Sequence, residues 1–171
     1  MNEADEPTPL VRRLWVDEAD QARALRLSAL AGAPRAFVED YATAVRRPSS
    51  FWEEQTRRGA VSDEVATFVA VGDQRHVGTA TGLCVDPQAP AELVAMWVEP
   101  DVRRRGIGKA LVDRVCRWAA ERGARSITLD LHEGNDAALR LYESTGFVVV
   151  RGPAPTPYDP SMLEVQMARS L

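Results

Sequence analysis

The sequence predicts an α/β (α+β mixed sheet) fold, in which about seven mostly antiparallel strands form one sheet with helices on both faces. Residues 65–98 contain three β-rich runs separated by turn signals, which is typical of an antiparallel meander. From residue 92 onward, strand patterns alternate with helical patterns, which indicates a crossover between parallel strands. The chain has 171 residues, 45% of them apolar, so residues 1–171 are expected to form a single domain.

The N-terminal segment predicts a tail, a strand and a helix. Residues 1–9 are polar and are expected to be flexible. LVRRLWV, residues 10–16, is typical of a strand. Asp17 stands where a helix N-cap would be, and apolar residues recur near helical spacing in the following DEADQARALRLSAL.

Two more helices are predicted before the meander. GAPRAFVEDYATAV, residues 32–45, has Pro34 in the first turn, where a helix tolerates proline. SSFWEEQTRRG, residues 49–59, has Ser50 and Glu53 in capping-box spacing and ends on a glycine.

The rest of the chain supplies most of the sheet. VATFVAV and HVGTATGLCV are separated by GDQR, which predicts a hairpin, and DPQAPA breaks the chain before ELVAMWV. The predicted elements after that strand are a helix (GIGKALVDRVCRWAAERG), a strand (SITLDLH), a helix (NDAALRLYESTG) and two strands (FVVVRG and LEVQMARSL).

Composition excludes several classes of function. Twenty-five acidic residues against twenty-one basic ones argue against nucleic-acid binding, which needs a basic face. MNEADEPTP is acidic where a signal peptide is basic, and no apolar run approaches the roughly 20 residues of a membrane span, so we expect a cytoplasmic protein without membrane contacts. Cys84 and Cys116 lie inside apolar elements, which disfavours a disulfide, a metal site and a covalent enzyme intermediate.

The stretch VEPDVRRRGIGKAL, residues 98–111, allows three phosphate-binding interpretations. A Walker loop would have glycine in place of Arg103 and Ser or Thr in place of Ala110. A dinucleotide-binding fingerprint would have glycine or alanine in place of Leu111. Both patterns therefore fail.

The third interpretation is an anion site at a helix N-terminus. Gly106 and Gly108 leave the main chain bare at the first turn of an amphipathic helix, whose unpaired N–H groups and dipole favour phosphate. Arg104, Arg105 and Lys109 add positive charge. The competing interpretation is an exposed basic loop before an ordinary helix.

Two motifs in this half of the chain resemble the GNAT acetyltransferase superfamily. V-x-P-x-x-R-x-x-G-x-G, from Val98 to Gly108, is similar to its coenzyme A signature, and N-x-x-A-x-x-L-Y-E-x-x-G-F, from Asn135 to Phe147, is similar to its last helix. The resemblance covers residues 92–150, which it identifies as an acetyl-CoA-binding core. The first ninety residues agree only in the order of their elements.

The resemblance implies a GNAT-like fold with a splayed parallel pair of strands at its centre and acetyl-CoA as the acyl-donor cosubstrate, without a metal. Main-chain groups of Met96 and Val98 would meet the acetyl-pantetheine end, and N–H groups of the glycine turn would hold the pyrophosphate. Asn135 would cap its helix and touch the cofactor. The implied cofactor-binding residues are Met96, Val98, Arg103, Arg104, Arg105, Gly106, Ile107, Gly108, Lys109, Asn135 and Tyr142.

Three side chains compete as the base that removes a proton from an ammonium acceptor. Glu92 stands eleven residues before Arg103, where the resemblance implies a catalytic glutamate, and ranks first. Asp130 lies five residues before Asn135, where the resemblance also implies a base, and ranks second. His132, which could accept a proton near neutral pH, ranks third. Period-two alternation places Asp130 and His132 with Thr128 on one face of SITLDLH. Each also has an ordinary structural interpretation, as a solvated strand residue or a hydrogen-bonded histidine.

Tyr142 is the candidate acid for the departing thiolate. A phenol is protonated at neutral pH, and the resemblance gives this tyrosine contact with the cofactor. The alternative is an aromatic residue packed with Leu141 and Phe147.

The expected activity is direct N-acetyl transfer from acetyl-CoA to a primary amine of a small molecule or peptide in a ternary complex. The alternative is a non-catalytic acyl-CoA-binding module of the same fold. We expect a monomer or a homodimer, the latter through an exposed final strand. Aromatic candidates for the acceptor pocket, or else for the core, are Phe37, Tyr41, Phe51, Trp52 and Tyr158.

Overall fold

The computed structural model describes residues 9–171, in which seven strands form one sheet. Apart from Pro9, the tail predicted over residues 1–9 lies outside the described residues. The strands are β1 (Leu10–Arg13), β2 (Val65–Gly72), β3 (Arg75–Leu83), β4 (Ala91–Val98), β5 (Ser126–His132), β6 (Val148–Pro155) and β7 (Leu163–Ser170). The helices are α1 (Ala19–Gly32), α2 (Tyr41–Val45), α3 (Ser49–Val61), α4 (Ile107–Glu121) and α5 (Asp136–Ser144), with a 3-10 turn at Pro100–Val102.

The strand order is β1-β2-β3-β4-β5-β7-β6, and every neighbouring pair is antiparallel except β4 and β5. The parallel pair arises because α4 crosses between β4 and β5. The predicted mixed, mostly antiparallel sheet is confirmed.

Helices cover both faces of this sheet. A Cβ on Gly82 of β3 would meet the ring of Trp118 in α4 at 2.7 Å, and Gly82 pairs with Ala66, so Ala66 also faces α4. The next residue, Thr67, faces the opposite side, where a Cβ on Gly59 of α3 would come within 2.5 Å of its hydroxyl oxygen. These close approaches explain why both helix–sheet contacts use glycine.

The largest apolar core lies between the sheet and α4, which contributes the fully buried side chains of Ile107, Leu111, Val112 and Val115. A smaller cluster on the opposite face joins Trp97 of β4 to Leu25 and Ala29 of α1. Among the helices of residues 9–171, none has the length and apolarity to cross a membrane.

The central parallel pair is splayed. β4 and β5 pair only at Ala91↔Ile127 and Glu92↔Thr128. Beyond this point β4 continues to Val98 without pairing to β5, and the two strands separate. The separation exposes main-chain groups on both strands in the middle of the sheet.

The start of the chain differs from its prediction. β1 ends at Arg13 rather than continuing to residue 16, because the chain turns where the Trp15 N–H donates to Glu18 Oε2 at 2.9 Å. Glu18, not Asp17, occupies the N-cap position of α1, and its side chain makes no capping hydrogen bond.

The helix predicted over residues 32–45 is wrong for residues 33–40. α1 ends at Gly32, where a Cβ would meet the ring of Trp97 at 2.9 Å, and the chain then runs irregularly to Asp40. Only Tyr41–Val45 is helical, and the Asp40 side chain caps it. Periodicity alone could not detect that this segment packs against the sheet as a loop.

The third helix exists but begins differently. It spans Ser49–Val61 with Pro48 at its N-cap and no side-chain capping bond, so the capping box predicted for Ser50 and Glu53 is wrong.

The final strand is not an edge strand. β7 lies between β5 and β6, and its main chain is paired on both sides. The edge is β6, where Val148, Val149 and Val150 are exposed. The prediction that the last strand could pair across a dimer is therefore wrong, because the chain returns inside the sheet.

Candidate active site

A cleft of about 1480 Å³ opens where β4 and β5 separate, beside the N-terminus of α4. Its lining combines residues of β4, of the glycine turn before α4, of β5 and of α5, the four segments in which the sequence predicted site residues. The predicted residues in its lining are Glu92, Met96, Val98, Arg103, Arg104, Gly106, Ile107, Gly108, Lys109, Asp130, His132, Asn135 and Tyr142. Arg105 lies outside this lining.

A β-bulge shapes the β4 wall of the cleft. Thr79 pairs with Trp97 and Thr81 with Val94, so two residues of β4, Ala95 and Met96, lie opposite one residue of β3. Ala95 has a φ of 53°, a left-handed conformation that is unfavourable for a residue with a Cβ. Neither an alanine nor its neighbours signal such a bulge, so sequence reasoning missed it.

The main chain of Val98 faces the cleft rather than β3. The Glu99 N–H donates to the Val77 carbonyl at 2.9 Å, and alternation along the strand turns the N–H and C=O of Val98 away from β3. Arg103 Nε donates to this carbonyl at 2.8 Å, with its guanidinium 4.8 Å from the centre of the Trp97 ring. Arg103 thus ties the glycine turn to the end of β4.

The glycine turn presents bare main chain at the start of α4. Gly106 is the N-cap with a φ of 78°, no side chain caps the helix, and an added Cβ would meet nothing within 4 Å. Arg104 is also left-handed, with a φ of 64°. The first N–H groups of α4 are therefore accessible and lie at the positive end of the helix dipole.

Gly108 has a different role from Gly106. A Cβ at this position would come within 3.0 Å of Leu141 in α5 and 3.4 Å of Met96 in β4. The glycine lets α4 and α5 approach closely, which brings Tyr142 and Asn135 to the cleft. Asn135 is the N-cap of α5, where its side chain accepts from the Ala138 N–H at 3.2 Å.

Tyr142 belongs both to the core and to the cleft lining. It is 6% exposed, and its ring lies 5.8 Å from that of Phe147. Burial raises the pKa of Tyr142 above its usual value near 10, so the phenol is protonated at neutral pH. The packing with Phe147 is confirmed, and the role as an acid stays a prediction.

Polar side chains from three neighbouring strands share the cleft face of the sheet. Glu92 of β4 pairs with Thr128 of β5, Asp130 pairs with Gln166 of β7, and His132 pairs with Glu164. The predicted alternation in β5 is confirmed by burial, since Ile127, Leu129 and Leu131 are buried whereas Thr128, Asp130 and His132 are not. Sequence reasoning missed Gln166 and Glu164, because strand order alone places β7 beside β5.

Two contacts hold parts of this face in place. Gln166 Nε2 donates to Asp130 Oδ1 at 3.2 Å. Tyr158, from the loop between β6 and β7, places its hydroxyl 3.2 Å from His132 Nε2. Glu92 and Asp130 are exposed to the cleft.

The aromatic candidates divide between wall and core. Phe37, Phe51 and Tyr158 line the cleft, whereas Trp52 is buried in a cluster with Leu30 and Ala44. Tyr41 is exposed outside the lining. Cys84 and Cys116 are buried free thiols, and burial raises the pKa of Cys116 to about 11, which disfavours a thiolate nucleophile.

Comparison with known proteins matches this architecture. A family model described as the acetyltransferase (GNAT) family covers residues 31–147. The chain is 32% identical over 97 residues to a [ribosomal protein bS18]-alanine N-acetyltransferase of Salmonella typhimurium, covering 56% of this chain and 64% of the relative. It is 27% identical over 93 residues to an aminoglycoside N(6')-acetyltransferase type 1 of the same species, covering 50% of this chain and 64% of that one.

A crystal structure of an N-acetyltransferase from Thermoplasma acidophilum in complex with coenzyme A has the same fold, with a TM-score of 0.75 and 16% identity, over 96% of this chain and 100% of the other. The chain covers less than two thirds of the length of the curated relatives it matches. The family model, however, spans more than half of this chain, so the protein belongs to the acetyltransferase (GNAT) family.

Proposed function

We propose that the protein transfers an acetyl group from acetyl-CoA directly to a primary amine, with both substrates bound in one cleft. The observation that carries the proposal is the separation of β4 and β5 beside an uncapped helix N-terminus. The relatives that act on a protein alanine and on aminoglycosides support an amine acceptor. The structure bound to coenzyme A supports the donor.

The residues present fit the donor. Gly106 leaves open space over the first N–H groups of α4, and Arg104 and Lys109 line the cleft beside them, which suits a pyrophosphate. The main chain of Val98, which faces the cleft, suits the pantetheine arm and the carbonyl of the thioester, and Met96 lines the cleft beside it. A main-chain N–H aimed at that carbonyl would supply about 3 kcal/mol of transition-state stabilisation. Acetyl-CoA supplies the activated acyl group.

The polar face would supply the base. The ammonium acceptor first loses one proton, which a nearby carboxylate accepts and passes to solvent. The neutral amine then loses a second proton as the amide N–C bond forms and the C–S bond breaks. Glu92 is our first choice because it lies at the point where β4 and β5 separate. Asp130 and His132 are further along β5, and both already have partners in Gln166 and Tyr158.

Tyr142 would supply the acid. It lines the cleft from α5, where the neighbouring Leu141 packs against Gly108, and its phenol stays protonated. Its proton would go to the departing thiolate sulfur, so that the amine loses one proton and the thiol gains one.

The decisive experiment measures coenzyme A binding by calorimetry and thiol release with an amine panel. Gly106→Ala should weaken coenzyme A binding by about tenfold or more, because the added methyl group occupies the space over the helix N–H groups. Gly123→Ala is the matched control, since Gly123 also has a positive φ and tolerates a Cβ but ends α4 far from the cleft.

Equal coenzyme A affinity of the two variants would refute the donor site. Tight coenzyme A binding with no thiol release from any amine would instead favour a non-catalytic acyl-CoA-binding module.

A further inference from the structure

We propose that the amine acceptor is a small molecule with a second cationic group, which Asp130 and Glu164 bind beside the Tyr158 ring. This inference rests on the proposed function, because it concerns the acceptor half of the same cleft. It assigns Glu164 as a specificity-determining residue outside the chemistry.

The carboxylates form a diagonal row across the sheet. Directly paired residues share a face, so Glu92, Asp130 and Glu164 all point to the same side. Glu92 pairs with Thr128, two residues before Asp130, and Asp130 pairs with Gln166, two residues after Glu164. On the antiparallel β5–β7 pair, diagonal neighbours of this kind lie about 7–8 Å apart, so Asp130 and Glu164 are one such step from each other. Glu92 lies on β4 at the point where this strand begins to separate from β5.

This row has no cation partner within residues 9–171. No Arg, Lys or His of the described chain lies within ion-pair distance of Glu92, Asp130 or Glu164. The two arginines on the facing wall of the cleft, Arg26 and Arg47, both bind Glu39, at 3.6 and 3.3 Å. The acceptor half of the cleft therefore carries uncompensated negative charge, and the donor half carries Arg104 and Lys109.

Tyr158 places an aromatic ring beside the carboxylates of Asp130 and Glu164. Tyr158 is 46% exposed. Its hydroxyl lies within hydrogen-bond distance of His132 Nε2, and His132 pairs with Glu164 across the two strands. Partial burial and then the charges of Glu164 and Asp130 raise the pKa of Tyr158, so both carboxylates act on its hydroxyl. An aromatic face next to two carboxylates is a favourable environment for an organic cation.

A peptide N-terminus is the competing acceptor. The only positive charge that every such peptide carries near this site is the reacting amine itself, because the peptide bonds that follow are neutral. Such a substrate would leave the charges of Asp130 and Glu164 without a cation partner, whereas a diamine neutralises them while its other nitrogen lies near Glu92.

The test is equilibrium binding to the protein saturated with coenzyme A. The ligands are 1,4-diaminobutane, 4-amino-1-butanol, which replaces one ammonium by a hydroxyl, and an uncharged-side-chain tripeptide that begins with alanine. We expect the diamine to bind about tenfold or more tightly than the amino alcohol, since hydrogen bonds to charged groups are the stronger ones. Glu164→Gln should abolish most of this preference.

Glu121→Gln is the control, because Glu121 is an exposed glutamate at the far end of α4. It should keep the full preference for the diamine. Equal binding of diamine and amino alcohol, tighter binding of the tripeptide, or an unchanged preference in Glu164→Gln would each overturn the inference. Thiol release with the same ligands is scored separately, so that absence of turnover refutes the proposed function while the binding preference still decides the acceptor class.

Discussion

Tyr142 shows how one residue serves two purposes in this molecule. Its ring packs with Phe147 in the main core, and its position in α5 brings it to the cleft beside Gly108. A core aromatic is held in a fixed rotamer by its neighbours, which is what a proton donor needs. The two sequence interpretations of this tyrosine were therefore not exclusive.

Tyr142→Phe should lower the rate of thiol release by about 100-fold, the scale expected when a general acid is lost. Coenzyme A affinity should stay unchanged, because the ring remains and only the hydroxyl is removed. Single-turnover kinetics and calorimetry measure the two quantities. Tyr41→Phe makes the same change at an exposed tyrosine outside the cleft and should leave both unaltered. A full rate in Tyr142→Phe would remove this residue from the mechanism.

Strand β4 is the element that joins the proposed donor and acceptor sites. Its bulge at Ala95 and Met96 changes the direction of the main chain just before Trp97 and Val98. Its separation from β5 starts after Glu92, three residues before Ala95. The bulge requires a left-handed residue, and the protein uses an alanine there. We expect the strain to persist because pairing with β3 on both sides of the bulge holds the chain.

Ala95→Val should destabilise the protein by about 2 kcal/mol, because a β-branched side chain is strongly disfavoured at a φ of 53°. Ala95→Gly should stay within about 1 kcal/mol of the wild type, since glycine adopts this conformation freely but loses more entropy on folding. Urea denaturation gives both values. If the valine variant were as stable as the glycine variant, the left-handed bulge would be wrong.

At the scale of the whole molecule, a buried polar cluster joins the first strand, the first helix and β3. Glu18 accepts hydrogen bonds from Arg12 and from the Trp15 N–H, and His76 Nε2 lies 3.3 Å from its carboxylate. Burial by itself raises the pKa of Glu18, but Arg12, Trp15 and His76 outweigh it and lower the pKa from 4.5 to about 2. The folded protein thus holds this carboxylate charged.

A folded-state pKa below the ordinary value means that ionised Glu18 stabilises the fold above pH 4.5, and that this contribution is lost as the pH falls from 4.5 toward 2. Glu18→Gln should therefore cost roughly 2 kcal/mol of unfolding free energy at pH 7 and progressively less toward pH 3. Denaturant unfolding at several pH values measures the difference. Glu54→Gln, at an exposed glutamate paired with Arg57, should show little loss at any pH. A pH-independent loss in Glu18→Gln would contradict the depressed pKa.

Motifs and periodicity by themselves determined the elements that form the proposed donor half of the cleft. The glycine turn, the helix after it and the α5 motif are local features, since helix caps, bare glycines and i, i+3 or i+4 neighbours depend on residues close in sequence. The alternation of SITLDLH was sufficient to place Asp130 and His132 on one face. The resemblance of residues 92–150 then supplied the family.

Only the tertiary structure decided which residues line the proposed acceptor half of the cleft. Glu164 and Gln166 reach the cleft because β7 inserts between β5 and β6, and Phe37 reaches it because residues 33–40 pack as a loop where periodicity predicted a helix. The bulge at Ala95 likewise depends on pairing with β3. Each of these features comes from contacts between residues far apart in the chain, and local propensity and pattern carry no record of such contacts.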